Sequence, residues 1–331
     1  MPLATDILSA APPILPVRLS WGAMKLSSEA WERARAHLME RARPIDRALF
    51  RFEFEGGDAR SVREEIRHFQ NEDGGFGRAL EPDLRLPASS TLATSQALVH
   101  LRAVGTPGTD ELVARALSWL VEAYDASLGA WRSVPREAED HPHAKHWAWE
   151  LHEDGKRWPV SVLPGAEVLA SLHHYAALVP ADWLAEIGDR FAADLAALSD
   201  RVGGDSLAAC DGLVRSEATP AALERAYRDW MLEVGPKLVD RDPKRWSAYV
   251  TKPLKIAPRP DSVLAETLAA DIERNLDFEI GQQQPDGSWA PSWSWNGAYP
   301  REWERARREW QGVLTRETLA LLRAWDRVEG H

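Results

Sequence analysis

The sequence is poor in cysteine and in long apolar segments. Cys210 is the single cysteine among 331 residues, so no disulfide can form within the chain, and a reducing compartment is favoured. No run of 18 apolar residues is present, which argues against a membrane-spanning helix. The N-terminal stretch lacks a basic segment before its apolar part, so a signal peptide is not expected. The chain is predicted to be cytoplasmic.

Positive charge is also scarce. The chain has 40 Lys and Arg residues against 51 Asp and Glu residues, a formal net charge of −11. No basic stripe interrupts this acidic balance, and a polyanion such as a nucleic acid would meet a repulsive field. We therefore expect no nucleic-acid partner.

Alternating patterns typical of β-strands are absent, whereas apolar residues recur at helical spacing along most of the chain. This favours an all-α fold, with one domain in residues 24–331 after a disordered arm in residues 1–23. The predicted helices are Ser28–Arg41, Pro44–Phe54, Asp58–Phe69, Ser90–Val104, Thr109–Tyr124, Pro164–Leu178, Ala181–Leu198, Pro220–Val234, Ser262–Ile280 and Gly312–Val328.

A short motif occurs twice. Gln70–Phe76 and Gln283–Trp289 both read Gln-x-x-Asp-Gly-x-aromatic, and each follows a predicted helix. Each also precedes a predicted helix start, at Ser89 in the first copy and at Thr315 in the second. Glycine tolerates positive φ and aspartate can bond the turn backbone, so the motif predicts a turn between two helices. Four side chains are expected to staple these turns rather than to perform chemistry: Gln70, Asp73, Gln283 and Asp286.

This repeat resembles the QW motif of squalene–hopene and oxidosqualene cyclases and the matching turns of protein prenyltransferase β subunits. The segments Glu81–Asp83, Ser89–Thr94, His141–Ala144 and Trp293–Trp295 also resemble small bacterial proteins of squalene-cyclase-like or prenyltransferase-like type. The resemblance covers most of the chain beyond the first predicted helix. It implies an α/α toroid, in which about five or six helical hairpins form two concentric rings.

Two motifs of those families are missing. The chain has no Asp-x-Asp-Asp, the acid motif of the cyclases that protonate an alkene. The prenyltransferases hold zinc with an Asp-x-Cys pair, but here Ala208 stands two places before Cys210. We therefore expect neither a protein prenyltransferase nor a cofactor.

The acids between the first turn and the next helix are the leading catalytic candidates. Pro82 favours an extended backbone at Glu81, which is predicted to send the carboxylates of Glu81 and Asp83 to different sides. A carboxyl group that faces an apolar cavity has a raised pKa and can act as a general acid. Asp83 is the first candidate for this role. The alternative is that Asp83 pairs with Arg78 or Arg85.

A histidine-rich segment lies in the middle of the chain. His141, His143 and His146 have a spacing at which three imidazoles could hold one metal ion, but zinc sites also need converging rings and supporting partners. We expect no metal. His143 is a candidate proton carrier because its ordinary pKa is near neutrality. The bland alternative is a polar, aromatic loop that covers one mouth of the toroid.

The chain has 16 tryptophans, an unusual number for this length. Indole faces can stabilise cations and stack on sugar rings, although tryptophan can also simply fill space between helices. The predicted substrate-binding residues are Phe76, Trp147, Trp149, Trp158, Trp293 and Trp295.

Three functions are compatible with these patterns. The first is a terpene-cyclase-like enzyme that protonates a hydrophobic small molecule in a tryptophan-lined cavity. The second is a non-catalytic scaffold that binds a hydrophobic ligand or a glycan. The third is an (α/α)-barrel glycosidase or polysaccharide lyase, in which the tryptophans stack on sugars. An apolar cavity with one buried carboxylate favours the first, and a polar groove with several acids favours the third.

Overall fold

The computed structural model describes residues 24–151, 162–198 and 202–330. The predicted arm of residues 1–23 and the candidate Trp158 lie outside these ranges. Within them the protein is all-α, with isolated β-bridges but no strand. The helices are α1 (Ser28–Arg41), α2 (Pro44–Phe54), α3 (Ala59–Arg67), α4 (Thr91–Ala103), α5 (Glu111–Glu122), α6 (Gly165–His174), α7 (Ala181–Asp194), α8 (Gly204–Val214), α9 (Ala221–Leu238), α10 (Pro253–Ile256), α11 (Ala269–Gly281) and α12 (Pro300–Ala324).

Several helices begin where a polar side chain satisfies a free N–H group of the first turn. Ser90 Oγ accepts the Ala93 N–H at 3.1 Å, which starts α4 at its predicted position. Asp110 caps α5 in the same way, through the Leu112 N–H at 3.0 Å. The starts of these helices are thus set by local capping chemistry that the sequence displays.

The predicted start of the last helix is wrong. The sequence pattern indicated a start near Gly312, with Thr315 in the first turn, but α12 begins at Pro300 and Thr315 lies in its middle. Pro300 occupies the first helical turn, where its missing N–H costs no hydrogen bond. The following turns are rich in charge, and ion pairs such as Arg305–Glu309 support them. Because these turns are polar, apolar periodicity could not reveal the first part of the helix.

The helices pack in a regular order. Among the even-numbered helices, α4 contacts α6, α6 contacts α8, α8 contacts α10, and α12 contacts α2. The odd-numbered helices α3, α5, α7, α9 and α11 each contact the even-numbered helix that precedes them in number, and α1 contacts both α2 and α12. The two ends of the described chain also meet, because the Leu26 N–H donates to Arg327 C=O at 2.8 Å.

Two clusters of buried apolar side chains fill the protein. The larger extends along the chain from Leu26 to Val328. The smaller one includes Leu84, Trp147 and Trp295, and therefore joins three loops that are far apart in sequence. No helix in the described ranges is both long and apolar enough to cross a bilayer.

Candidate functional site

The two copies of the motif form equivalent turns. Gln70 Nε2 donates to the carbonyl oxygens of Gly74 (2.9 Å) and Leu112 (3.0 Å). Gln283 Nε2 donates to those of Gly287 (3.1 Å) and Ala30 (2.8 Å). Each glutamine thus links its own turn to the first turn of a neighbouring helix, α5 or α1. These hydrogen bonds are structural contacts that hold each turn against a neighbouring helix.

The remaining motif residues also occupy matching positions. Asp73 accepts hydrogen bonds from Ser89 Oγ (2.7 Å) and the Trp119 indole (3.1 Å). Asp286 accepts from Ser288 Oγ at 2.7 Å and forms an ion pair with Arg41 at 3.3 Å. Both aspartates therefore hold the turn and also a group outside it.

Threonine marks a further equivalence between the copies. The N–H of Phe76 donates to Thr94 Oγ1 at 2.9 Å, and the N–H of Trp289 donates to Thr315 Oγ1 at 3.1 Å. The threonines named by the sequence pattern are therefore equivalent, although only the first lies near the start of its helix.

The loops that come after the two turns meet the histidine-rich segment. The Ala144 N–H donates to Asp83 C=O (2.8 Å), and the Arg85 N–H donates to Pro142 C=O (2.9 Å). These bonds form an isolated antiparallel bridge between Leu84 and His143. The structure thus brings together the first two of the three loops in which the sequence placed candidate chemistry.

Asp83 joins the third loop, which contains Trp293 and Trp295, to the other two loops. Trp293 Nε1–H donates to Asp83 Oδ2 at 2.8 Å, and Trp295 Nε1–H donates to Oδ1 at 2.7 Å. The carboxylate is buried. Two N–H donors match the acceptor-only ionised carboxylate. The alternative of an arginine partner is wrong: Arg78 donates to Asn71 Oδ1 (2.9 Å), and Arg85 binds Glu309 (2.6 Å).

Glu81 lies beside Asp83, not on the opposite side. The chain turns at Pro82, with the Leu84 N–H donating to Glu81 C=O at 3.1 Å, and Glu81 Oε1 lies 3.4 Å from the Asp83 N atom. The turn therefore brings the Glu81 carboxyl group against the backbone of Asp83, where divergent carboxylates had been predicted. Gln96 Nε2 donates to the other carboxyl oxygen, Oε2.

The environment of Glu81 favours its protonated form. Burial, followed by the nearby Asp83 carboxylate, raises the pKa of Glu81 to about 8. The Gln96 amide and the Asp83 N–H oppose this shift but are outweighed. A carboxyl group with such a pKa carries a proton at neutral pH and can give it up within the working range of an enzyme.

His146 and Asp205 extend the group of titratable side chains. His146 Nε2 lies 3.8 Å from Asp83 Oδ2, and burial lowers the pKa of His146. Asp205 Oδ2 accepts the Tyr249 hydroxyl at 2.5 Å, and Asp205 Oδ1 pairs with Lys255 Nζ at 2.5 Å. Burial alone would raise the pKa of Asp205, but Lys255 and Tyr249 outweigh it and lower the pKa. We call Glu81, Asp83, Gln96 and His146 the acid cluster.

A cavity of about 1090 Å³ lies next to the acid cluster. Trp293, which binds Asp83, lines this cavity, as do Asp205, Tyr249 and Lys255. Val99, His100 and Ala103 of α4 line it as well, and Gln96 lies on the same helical face as these three. Glu81, Asp83, Gln96 and His146 do not themselves line the cavity, and the acid cluster meets it through Trp293. The lining also includes the acids Glu53, Glu279 and Glu317 and the bases Arg215, Lys252, Arg259 and Arg316.

The other predicted substrate contacts lie elsewhere. Phe76 is fully buried in the larger apolar cluster, where it packs as a core residue. Trp147 and Trp295 are buried in the smaller cluster. Trp149 lines a separate pocket of about 300 Å³, with the Arg132 guanidinium 5.4 Å from its ring centroid. Of the described tryptophan candidates, Trp293 is the one placed at the large cavity.

The candidate histidines do not converge on a common point. His143 Nδ1 lies 2.7 Å from the His141 carbonyl oxygen, so Nδ1 carries the proton and donates this bond. His146 instead approaches Asp83. Within the described ranges, no group of three or more His, Cys, Asp or Glu side chains is placed to hold a metal ion.

Three residues near the site were missed or given little weight by the sequence analysis. Gln96 follows Thr94 and Ser95, a polar run in an otherwise apolar helix, and this run was the available signal. Neither Asp205 nor Tyr249 belongs to a recognised motif. No family model matches the chain, and no curated protein sequence is significantly similar to it.

Proposed function

We propose that the protein is an enzyme that performs acid–base chemistry on a small molecule held in the large cavity, with Glu81 as the proton donor. The observation that carries the proposal is a buried carboxyl group, with its pKa raised to about 8, beside a second carboxylate that accepts a hydrogen bond from Trp293 of the cavity lining. Pairs of titratable groups held in contrasting environments are the usual basis of acid–base assignment.

The roles of the two acids follow from their hydrogen bonds. Glu81 gives its proton to the substrate, and the Gln96 amide then stabilises the carboxylate that remains. Asp83 is held by the indoles of Trp293 and Trp295, so it acts as a fixed negative charge that keeps Glu81 protonated until substrate binds. This exchanges the order of the two candidates, because the sequence placed Asp83 first.

We further propose that the fold is a single-domain α/α toroid, as the resemblance to squalene cyclases and prenyltransferase β subunits implies. The packing order supports this, with even-numbered helices as the inner ring and odd-numbered helices as the outer ring. The contact of α12 with α2 and the hydrogen bond between Leu26 and Arg327 support closure of the ring. The stapled turns then connect inner and outer helices.

The lining of the cavity bears on the substrate class. Lys252, Lys255 and Arg316 line it, and cations in the wall oppose a carbocation intermediate. Each also has an acidic partner, so ion pairs interrupt a lining that is otherwise mostly apolar. These ion pairs are the feature that supports a polar substrate, as in the glycosidase or lyase alternative.

One observation supports the terpene-cyclase-like alternative. Trp293 makes edge contacts with Trp310 (ring centroids 5.1 Å apart) and with Tyr249 (5.6 Å) at the margin of the cavity. Such an aromatic group can stabilise positive charge. The cavity has room for either class of molecule.

The test is a Glu81→Gln variant assayed against a panel of oligosaccharides, polyprenes and prenyl diphosphates, with product detected by mass spectrometry. Loss of a general acid is expected to reduce the rate about 10²–10⁴-fold. Glu302→Gln, at a partly exposed glutamate that lies near Arg85, is the matched control and should retain the wild-type rate. Equal rates for Glu81→Gln and wild type would contradict the proposal, and binding without any turnover would favour the scaffold hypothesis.

A further inference from the structure

A second group of titratable side chains lies in the wall of the large cavity itself. Asp205, Tyr249 and Lys255 all line the cavity, whereas the acid cluster does not. The Tyr249 hydroxyl donates to Asp205 Oδ2 at 2.5 Å, and Lys255 Nζ pairs with Asp205 Oδ1 at 2.5 Å. Both oxygens of one carboxylate are thus held by neighbours in the same wall.

The Asp205 carboxylate is open to the cavity. Among the described residues, two lysine ion pairs have both members in the lining. The side chains of Asp205 and Lys255 are 42% and 45% exposed, whereas those of Glu279 and Lys252 are 12% and 24% exposed. A molecule in the cavity can therefore reach Asp205, and Glu279 is largely covered.

The local sequence explains how Asp205 is held. Asp205 lies in the first turn of α8, where the free N–H groups of the helix favour a negative charge. The preceding residue is Gly204, and a Cβ atom there would lie 2.9 Å from Lys255 Cγ. Glycine at this position therefore leaves room for Lys255 to approach the Asp205 carboxylate.

The electrostatic environments of Asp205 and Glu81 are opposite. Burial would raise the pKa of Asp205, but Lys255 and Tyr249 outweigh it and hold the pKa below the ordinary value of 3.8. Burial and the Asp83 carboxylate instead raise the pKa of Glu81 to about 8. At neutral pH one carboxyl group is thus ionised and the other holds a proton, as a base and an acid require.

Tyr249 links the Asp205 carboxylate to the acid cluster. Its ring lies 5.6 Å from that of Trp293, whose indole donates to Asp83. Burial, followed by the Asp205 carboxylate, raises the pKa of Tyr249, and Asp83 and Glu81 raise it further. All three carboxyl groups therefore act on one hydroxyl group, which keeps its proton and continues to donate it to Asp205.

We propose that Asp205 is the catalytic base of the enzyme, which takes a proton from the molecule in the cavity while Lys255 and Tyr249 hold the carboxylate in position. The substrate gives one proton to Asp205 and receives one from Glu81, so the total charge of protein and substrate is unchanged. Asp205 then releases its proton to water, and Glu81 regains one from water. This inference rests on the proposed function, because it supplies the base that works with that proton donor.

The experiment uses a probe reaction that needs a base but no acid. When a base removes the ring C–H proton of 5-nitrobenzisoxazole, the electron pair of that bond forms the nitrile, the N–O bond breaks and a coloured nitrophenolate leaves. The flat aromatic probe suits a mostly apolar cavity. The wild-type protein is expected to release the phenolate faster than the same concentration of acetate, and a rate equal to that of acetate would overturn the inference.

Variants then identify the carboxylate that acts as the base. Asp205→Asn is expected to lower the rate of phenolate release about 10²-fold or more. Glu317→Gln is the matched control, because Glu317 also lines the cavity and its side chain is 54% exposed, but its partner is Arg316. An unchanged rate in Asp205→Asn, or an equal loss in Glu317→Gln with a melting curve like wild type, would overturn the assignment.

The pH profile of Lys255→Met tests the positioning role without removing the base. The wild-type rate should stay constant from neutral to mildly acid pH, because Asp205 remains ionised there. Without Lys255, burial dominates and raises the pKa of Asp205, so the rate should begin to fall at a higher pH. The other titratable groups that act on this pair, His146, Glu167 and Glu317, are unchanged in the variant. An unshifted profile would contradict the role of Lys255.

The two proposals fail in different ways. If Asp205→Asn loses phenolate release but Glu81→Gln turns over a molecule of the substrate panel at the wild-type rate, the proton donor is wrong and the base stands. If Glu81→Gln abolishes that turnover while Asp205→Asn releases phenolate at the wild-type rate, the base is wrong and the proton donor stands.

Discussion

The two copies of the Gln-x-x-Asp-Gly-x-aromatic motif are alike in the turn and unlike in the loop beyond it. Both glutamines donate to a carbonyl of their own turn and to one on a neighbouring helix. The loop after the first copy then carries Glu81 and Asp83, whereas the loop after the second carries Trp293 and Trp295. These loops meet at the Asp83 carboxylate. The repeated part holds helices together, and the divergent part builds the candidate site.

The largest effect is expected from alanine at the two turn glycines. Gly74 (φ 95°) and Gly287 (φ 87°) have positive φ, and a Cβ atom would lie 2.7 Å from the Arg115 carbonyl oxygen in the first copy and 2.3 Å from that of Arg33 in the second. Strain and overlap together should cost about 2–5 kcal/mol of unfolding free energy in urea. Gly281→Ala, in open space, is the control. If alanine lowered the unfolding free energy at only one of the two glycines, the two turns would not be structurally equivalent.

Asp83→Asn should destabilise the protein by about 2–4 kcal/mol, because an amide can accept from only one of the two indoles and turns its NH₂ toward the other. Asp286→Asn, in the partly exposed second turn, should cost less. Urea unfolding followed by tryptophan fluorescence measures both. A loss below about 0.5 kcal/mol would contradict the structural role of the two indole hydrogen bonds.

Gln70→Ala and Gln283→Ala are expected to cost about 1–3 kcal/mol each and to agree within experimental error, because each removes two hydrogen bonds to backbone carbonyl groups. Thermal melting monitored by circular dichroism measures both losses of stability. If either variant altered ligand binding more than stability, its turn would belong to the site and the division between repeated and divergent parts would fail.

The smallest losses of stability are expected for the two tryptophans of the second loop, and the two variants should differ in their effects. Trp295→Phe and Trp293→Phe each remove one hydrogen bond to Asp83, for a loss of about 1–2 kcal/mol. Trp295 is buried in the smaller apolar cluster, so its variant should be the less stable. Trp293 lines the cavity, so its variant should bind ligand more weakly. A less stable Trp293→Phe variant together with weaker ligand binding by Trp295→Phe, measured by thermal melting and ligand titration, would contradict this account.

Local signals in the sequence predicted much of the secondary structure. Caps such as Ser90 and Asp110 mark helix starts, and the apolar periodicity of 58–69 marks α3. The start of α12 could not be predicted in this way, because its first turns are stabilised by charged pairs and a proline. The repeat predicted the turns themselves and the threonines that close them.

The candidate site was predicted as three loops but not as one cluster. Asp83 and Trp295 are 212 residues apart, and no local pattern reports a contact of that range. The partners of Asp83 were expected among nearby arginines, since charge is visible in a sequence and an indole N–H donor is easily overlooked. Gln96 and Tyr249 were missed for a related reason: their roles depend on the burial of neighbouring carboxylates, which only the packed fold determines.

The charge of Glu81 is the central claim, and carboxyl titration by ¹³C NMR with glutamate labelling tests it directly. Glu81→Gln identifies the resonance by its loss. We predict a midpoint near 8, well above the ordinary value of 4.5. Because the pKa is raised in the folded state, protonated Glu81 should contribute stability below pH 4.5 that is lost as the pH rises through about 8, and Glu81→Gln should remove this dependence. A midpoint close to 4.5 would contradict the account and leave the protein without its proposed proton donor.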